Sequence, residues 1–239
     1  MITLKKNKIK KQLNNYPYEI NVVRKSSSTN DKIKEMKDFS VLATTFQTKG
    51  KGTRGRTFFS PKGKGVYFSI ILKDEKYYDK KITPLCAVAV VEALSALSDE
   101  RFAVKWVNDV FLSGKKVCGI LAEKGEYGLV VGIGVNLERP KKGYGEFESV
   151  ATAVFDKAKK GTGEKFLTLF LKRFYAYING EDFYEKYVKY CFFIGKSVKL
   201  SNGKSAVAKE INEDFSLTVV YEDGKEEKLT SGEIGIKLN

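Results

Sequence analysis

Phe46-Gln47-Thr48-Lys49-Gly50-Lys51-Gly52-Thr53-Arg54-Gly55-Arg56-Thr57-Phe58 is the stretch from which the rest of the chain can be read. Val41–Thr45 before it is short and β-prone. Val66–Leu72 after it is nearly continuous apolar sequence, the pattern of a buried strand. Between these two strands lie three glycines and the cations Lys49, Lys51, Arg54 and Arg56. Glycines let backbone N–H groups approach a ligand closely, and cations beside them make a seat for an anion such as a phosphate. Gly50-x-Gly52-x-x-Gly55 also fits a dinucleotide pattern, but that motif opens a helix at its third glycine. Here a strand follows instead. A kinase glycine loop sits between strands but requires a His-Arg-Asp catalytic loop, and the chain has no histidine. An exposed basic hairpin is the plain alternative.

The 239 residues can bury a real core, and 42% hydrophobic with 13% aromatic content places the chain among globular proteins. No apolar run reaches the roughly 20 residues that span a bilayer. The basic start, residues 1–13, lacks the apolar centre of a signal peptide. Cys86, Cys118 and Cys191 lack metal-type spacing, so they read as buried free thiols in a reducing cytoplasm. The net charge of +14 admits nucleic acid, a membrane surface or an acidic partner. Only six of the 43 cations are arginine and the lysines are scattered, which fits a lysine-rich solvated surface better than a nucleic-acid groove.

Outward from the glycine stretch, residues 18–25 alternate as a strand. Ser26-Ser27-Ser28-Thr29-Asn30-Asp31 then precedes residues 32–39, the pattern of a capped helix start or, equally, of polar groups and free N–H donors that face a ligand. Thr83-Pro84 predicts the start of a helix that is apolar nearly all round. Residues 101–112, 116–123 and 129–136 read as three strands of an antiparallel meander. Lys105, Asn108, Asp109, Lys116 and Asn136 lie inside those apolar runs and need partners, from each other or from a ligand. Gly132 and Gly134 alternate, so they share a face, and their missing side chains mark either a bulge or room for something lying flat on the sheet. Two helices follow, over 164–178 and 181–190. From Gly195 onward, Asn202-Gly203 and Asp223-Gly224 signal tight hairpins of a small barrel that should dock on the larger unit.

Ser28-Thr29-Asn30, the 47–56 loop, Lys105-Trp106-Val107-Asn108-Asp109 through Gly119-Ile120-Leu121, and Gly132–Asn136 stand in that order. This set resembles the biotin protein ligase family from about Ser28 to the C-terminus. Leu229–Ile234 is similar to the end of its SH3-like barrel. The resemblance implies an α+β fold: a mixed, largely antiparallel sheet flanked by helices, class II synthetase-like, over residues 1–192. A small C-terminal SH3-like β-barrel would take residues 193–239.

It implies an ATP-dependent enzyme that forms biotinyl-5'-AMP and transfers biotin to one lysine of a biotin carboxyl carrier domain. ATP and magnesium would be its cofactors and biotin its substrate. Ser28, Thr29, Asn30, Gln47, Gly50, Lys51, Gly52, Thr53, Lys116, Gly119, Gly132 and Gly134 would bind biotin. Lys51, Arg54, Arg56, Phe58, Asn108 and Asn136 would bind ATP. Lys116, Arg56 and Asp109 would be catalytic, with Asp109 a magnesium ligand.

Lys51, Thr53 and Arg54 depart from the family's usual Gly-Arg-Gly-Arg-x-Gly-Arg, and Val107 replaces a usual proline. Some relatives carry an N-terminal DNA-binding domain, and about 20 residues before the first strand are too few for one, so no DNA binding and no membrane association are expected. The expected compartment is the cytoplasm, and a homodimer is left open. Two rival readings remain: a lipoate ligase of the same fold, and a nucleic-acid-binding protein using the small barrel. Against the latter, residues 195–239 balance their lysines with acids.

Overall fold

The computed structural model describes residues 1–79, 81–230, 232 and 234–236. Ser231 and Glu233, in the terminal stretch singled out above, lie outside the described residues, as does Lys80. Seven strands form the main sheet: β1 (Glu19–Val22), β2 (Ser40–Thr44), β3 (Gly65–Leu72), β4 (Phe102–Lys105), β5 (Asp109–Leu112), β6 (Lys115–Gly125) and β7 (Gly128–Asn136). Their order is β1-β2-β3-β7-β6-β5-β4. The β1–β2 pair is parallel and every other neighbouring pair is antiparallel. The sheet is therefore mixed and mostly antiparallel. The run from residue 101 to 112 is two strands, not one, because the chain turns at residues 106–108 and Lys105 pairs with Asp109.

Period-2 alternation sends β3 and β7 side chains to opposite faces. Val66, Phe68, Ile70 and Leu72 on β3, with Val131, Ile133 and Val135 on β7, join the main core. That core is closed by α3 (Ile82–Ser95) and α4 (Thr162–Ile178). Nearly all of α3 is buried, as its apolar sequence predicts. It starts at Ile82 with no side-chain cap, so Pro84 is its third residue rather than its first. Proline is tolerated there because the first-turn N–H groups have no intrahelical partner. On α4, Phe166, Phe170 and Phe174 recur at helical spacing, and Phe170 packs 5.1 Å from Phe68, ring centre to ring centre.

The helix predicted over 32–39 forms earlier and shorter, as α2 (Thr29–Ile33). Thr29 and Asn30 are thereby in its first turn, with their side chains drawn onto the sheet. The remaining helices are α1 (Lys6–Gln12), against α4, and α5 (Tyr184–Tyr190).

The C-terminal strands are β8 (Ser197–Leu200), β9 (Ser205–Ile211), β10 (Leu217–Val220), β11 (Glu226–Leu229) and β12 (Ile234–Ile236). They form an antiparallel sheet in the order β11-β10-β9-β8-β12. It docks through Phe215, which stacks 5.0 Å from Phe183 and whose carbonyl accepts the Trp106 indole N–H at 2.9 Å.

Candidate active site

The second face of β3, β6 and β7 carries the site. Ser69 opposes Gly132 and Tyr67 opposes Gly134, while Gly119 and Leu121 of β6 pair with Gly134 and Gly132. The predicted shared face of Gly132 and Gly134 is therefore present, and Gly119 completes it. A side chain at Gly132 would fall on the amide of Asn30. One at Gly134 would meet the Phe58 ring at 2.5 Å, and one at Gly119 would meet both Lys116 and Phe58 at about 3 Å. The glycines are needed because other groups lie directly on the backbone there.

Lys116 reaches this face through a register shift. By strict alternation Lys116 and Gly119 would point to opposite sides. The β5–β6 register slips between Val110 and Phe111, with Val110 opposite Cys118 and Phe111 opposite Lys116. The extra residue, Val117, bulges out of the pairing and re-aims Lys116. Its ammonium stands 2.6 Å from the Asp109 carboxylate and 6.0 Å from the Phe58 ring centre. Lys105 lies close by. Burial pushes its pKa down against the pull of Asp109, and the charges of Lys116 and Arg56 push the same way. Several cations thus converge on one carboxylate, which favours an incoming polyanion.

α2 supplies a polar wall. The Thr29 N–H donates to Gln47 Oε1 at 2.8 Å, and Gln47 Nε2 donates to Ser60 Oγ at 3.2 Å. The Ser69 hydroxyl donates to Asn30 Oδ1 at 2.5 Å and sits 2.8 Å from the Thr29 hydroxyl. Asn30 Nδ2 donates to Glu123 Oε2 at 2.7 Å. Ser28, Thr29 and Asn30 are buried.

The glycine stretch is a finger. Lys51 bridges Thr57, the Gly52 N–H donates to the Arg56 carbonyl at 2.7 Å, and a 3-10 turn over Thr53–Gly55 makes the tip. The tip is not extended, because Arg54 adopts left-handed φ 55° and ψ 38°. Arg56 donates to the Thr53 hydroxyl at 2.8 Å. Lys51 pairs with Asp31 at 2.5 Å, and this hydrogen bond holds the lysine pKa above its ordinary value, with Glu123 adding to it.

One cavity is lined by Ser28, Thr29, Asn30, Gln47, Lys51, Gly52, Thr53, Phe58, Asn108, Lys116, Gly119, Gly132 and Gly134. Its volume is about 30 Å³, because the Phe58 ring rests on the glycine floor. Of the other sequence-predicted residues, Asp109 stands behind Lys116. Gly50 lies under the finger, where its carbonyl accepts the Phe58 N–H at 2.9 Å. Arg56 lies on the finger's exposed side. Arg54 faces a neighbouring cleft of about 460 Å³, shared with Thr53, Asn108, Val107, Ser201 and Gly232. Asn136 donates to the Thr152 carbonyl at 3.1 Å, beyond the cavity. The Asn108 amide is spent on the Ile120 carbonyl at 2.9 Å, a stitch between strands.

Sequence reasoning missed Ser60, Ser69 and Glu123. Glu123 falls on the same face as Gly119 and Leu121, two and four residues along β6, which is a signal that strand periodicity offered. The buried Cys118 has its thiol pKa pushed up by desolvation, so it is no thiolate nucleophile.

Residues 20–138 match the Biotin/lipoate A/B protein ligase family. The bifunctional ligase/repressor BirA of Bacillus subtilis is 32% identical over 145 residues, 55% of this chain and 45% of that protein. Biotin–protein ligase 2 of Arabidopsis thaliana is 28% identical over 213 residues, 79% of this chain and 60% of that protein. The biotin protein ligase from Aquifex aeolicus, solved in complex with biotin and ATP, superposes with a TM-score of 0.78 at 27% identity, covering 92% of this chain and 99% of that one. The chain spans less than half of the first curated relatives it matches, 36% to 45% of their length. The matched region and the mixed sheet place residues 20–138 in the Biotin/lipoate A/B protein ligase family.

Proposed function

We propose that the chain is an ATP-dependent biotin ligase that makes biotinyl-5'-AMP and passes biotin to a lysine of a biotin carboxyl carrier domain. The observation that carries this reading is the convergence of Ser28-Thr29-Asn30, Gln47, the glycine floor and Lys116 on one cavity. Residues 1–192 would be the catalytic unit and residues 193–239 the small unit docked beside it.

Biotin's bicyclic head is flat enough to lie on Gly119, Gly132 and Gly134, and its urea matches the mixed donors and acceptors of α2 and Gln47. Ligand sites of this kind occupy roughly 300–1,000 Å³, so Phe58 must swing off the glycine floor as biotin enters. Released toward the 460 Å³ cleft, its ring becomes a stacking surface for the adenine.

Lys116 would then stand between the biotin carboxylate and the ATP α-phosphate. There its charge offsets the negative charge that builds as the two oxygen-rich groups meet. Asp109, 2.6 Å away, holds the ammonium in place before substrates arrive. The finger, with Lys51, Thr53 and Arg56, would close over the adenylate and exclude water.

Magnesium suits this site as a companion of ATP. Among the described residues no cluster of three or more His, Cys, Asp or Glu side chains could hold an ion unaided. Asp109 offers one carboxylate, and magnesium commonly completes its shell with substrate phosphates and water.

The deciding experiment is ATP–pyrophosphate exchange by the purified chain. Exchange should depend on biotin. Exchange that responds to lipoate and not to biotin would turn the assignment to the family's other branch.

A further inference from the structure

Glu123 takes no part in the cavity lining, yet it holds one of the residues that does. Asn30 is pinned at both ends of its amide: Nδ2 donates to Glu123 Oε2 at 2.7 Å, and Oδ1 accepts from the Ser69 hydroxyl at 2.5 Å. Asn30 is 4% exposed, and its amide lies against Gly132, where a Cβ would collide with it. An amide's oxygen and nitrogen ends have nearly the same shape, so its neighbours' chemistry fixes which end points where. An ionised carboxylate can only accept. Glu123 therefore forces the NH₂ group toward itself and the oxygen toward Ser69 and the glycine floor. That oxygen keeps a second lone pair for a ligand N–H.

We propose that Glu123 is the positioning residue that sets the orientation of the Asn30 amide, and through it the site's preference for a head group bearing N–H donors. The ligand class is a cyclic urea, and a head group without N–H, such as a dithiolane, leaves the Asn30 oxygen desolvated and unpaired. This inference rests on the biotin-ligase reading of the same cavity. It differs from that reading in making a residue 93 positions away from Asn30, outside the motif set, a determinant of specificity.

The test uses the full chain and two variants, Glu123→Ala and Glu123→Gln. Biotin-dependent ATP–pyrophosphate exchange gives KM for biotin and kcat, and calorimetry gives biotin affinity directly. A biotin analogue methylated on one urea nitrogen measures how strongly the site demands each N–H.

In Glu123→Ala the KM for biotin should rise about tenfold or more, the scale of one hydrogen bond to a charged group, while kcat stays within about threefold. The wild-type preference for biotin over the analogue that blocks the Asn30 contact should shrink about as much. Glu123→Gln can still accept through its amide oxygen and should recover most of the affinity, which also guards against an alanine variant that folds poorly.

A wild-type-like KM and analogue preference in Glu123→Ala would overturn the role of Glu123 and leave the ligase reading standing. A parallel fall in kcat and thermal midpoint, without a change in preference, would make Glu123 merely structural and overturn it too. A wild-type chain that neither binds biotin nor shows exchange would overturn the ligase reading itself, and this inference with it.

Discussion

Strands β3 and β7 present two faces with opposite chemistry, one residue apart along the same backbone. On one face, Val66, Phe68, Ile70, Val131 and Ile133 meet α3 and α4, and that core is continuous and apolar. On the other, Ser69, Gly132 and Gly134 stand under α2 and the glycine finger, and what fills the space is a hydroxyl, an amide and one aromatic ring. The first face stabilises the fold by burial, which is non-directional and tolerant of exchange between similar shapes. The polar stretch of the second contributes little by area, and the apolar part of that face is the small cluster of Ile33, Leu42, Ile71 and Val130. The polar groups are useful because they are fixed: Ser69 and Glu123 hold the two ends of the Asn30 amide, and Thr29 donates to Gln47. Substitutions on the two faces should therefore fail differently, one in stability and the other in ligand handling.

The largest effect is expected on the apolar face. Phe170 is fully buried among Phe68, Phe166 and Phe174. Phe170→Ala should cost about 3–5 kcal/mol of unfolding free energy, because it removes a ring and leaves a cavity. The urea midpoint should fall, while the biotin KM of the molecules that remain folded stays unchanged. A large shift in KM would mean that the two faces are not separable.

Lys116→Ala is the counterpart on the polar face. Removing one preorganised cation should slow adenylate formation by about 10²–10³-fold, or ~3–4 kcal/mol in the barrier. Its thermal midpoint should stay near that of the wild type. Wild-type pyrophosphate release by a folded Lys116→Ala protein would remove Lys116 from the chemistry.

How much of this contrast could be read from the sequence differs between the faces. Alternation of Gly132 and Gly134 placed both on one side, and the apolar runs of β3, α3 and α4 marked the core, because these are local periodicities. The Asn202-Gly203 and Asp223-Gly224 hairpins were legible for the same reason. The bulge at Val117 was not, since register is a property of two strands and only the observed β5–β6 pairing reveals it. Glu123 and Ser69 were also hidden, because their partner Asn30 is 93 and 39 residues away. The start of α2 at Thr29 escaped the capping rules for a related reason. Thr29 and Asn30 bond to the sheet and to Gln47, so hydroxyl and amide groups that read as caps serve tertiary contacts instead.

Neighbouring positions on β7 sharpen the comparison. Gly132→Ala would drive a methyl group into Asn30, which Ser69 and Glu123 hold in place. Displacing that amide should weaken biotin binding by about 1–3 kcal/mol, the cost of an unsatisfied buried polar group. Val131→Ala, one residue away and facing the helices, should lower stability by about 2 kcal/mol through lost methyl burial and a small cavity. Titration calorimetry and urea unfolding of both variants should give opposite patterns. Similar patterns would show that the strand transmits both perturbations as one.

The smallest expected effect tests whether the helical layer holds its charges as firmly as the site does. Glu92 of α3 receives Arg173 Nε at 2.6 Å, the Tyr177 hydroxyl at 2.6 Å and Lys186 Nζ at 3.0 Å. Desolvation raises its pKa, but the bonds from Tyr177, Lys186 and Arg173 outweigh it, and the carboxyl ends below its ordinary value. A group whose folded pKa is depressed contributes stability that is present above its unfolded pKa, and that stability is lost as pH falls through the folded pKa. The Glu92 contribution should therefore be constant near neutrality and fade below about pH 4. Glu92 is partly open to solvent, so the contribution should not exceed about 1 kcal/mol. Glu92→Gln keeps the shape and removes the charge. Its urea midpoint should lie slightly below the wild type at pH 7, and the two should converge as the pH approaches 3. Raising the salt concentration at pH 7 should narrow the gap as well, since exposed ion pairs are screened. A gap that stays the same at both pH values and in salt would assign the loss to packing rather than charge, and the helical layer would then be held by its apolar contacts alone.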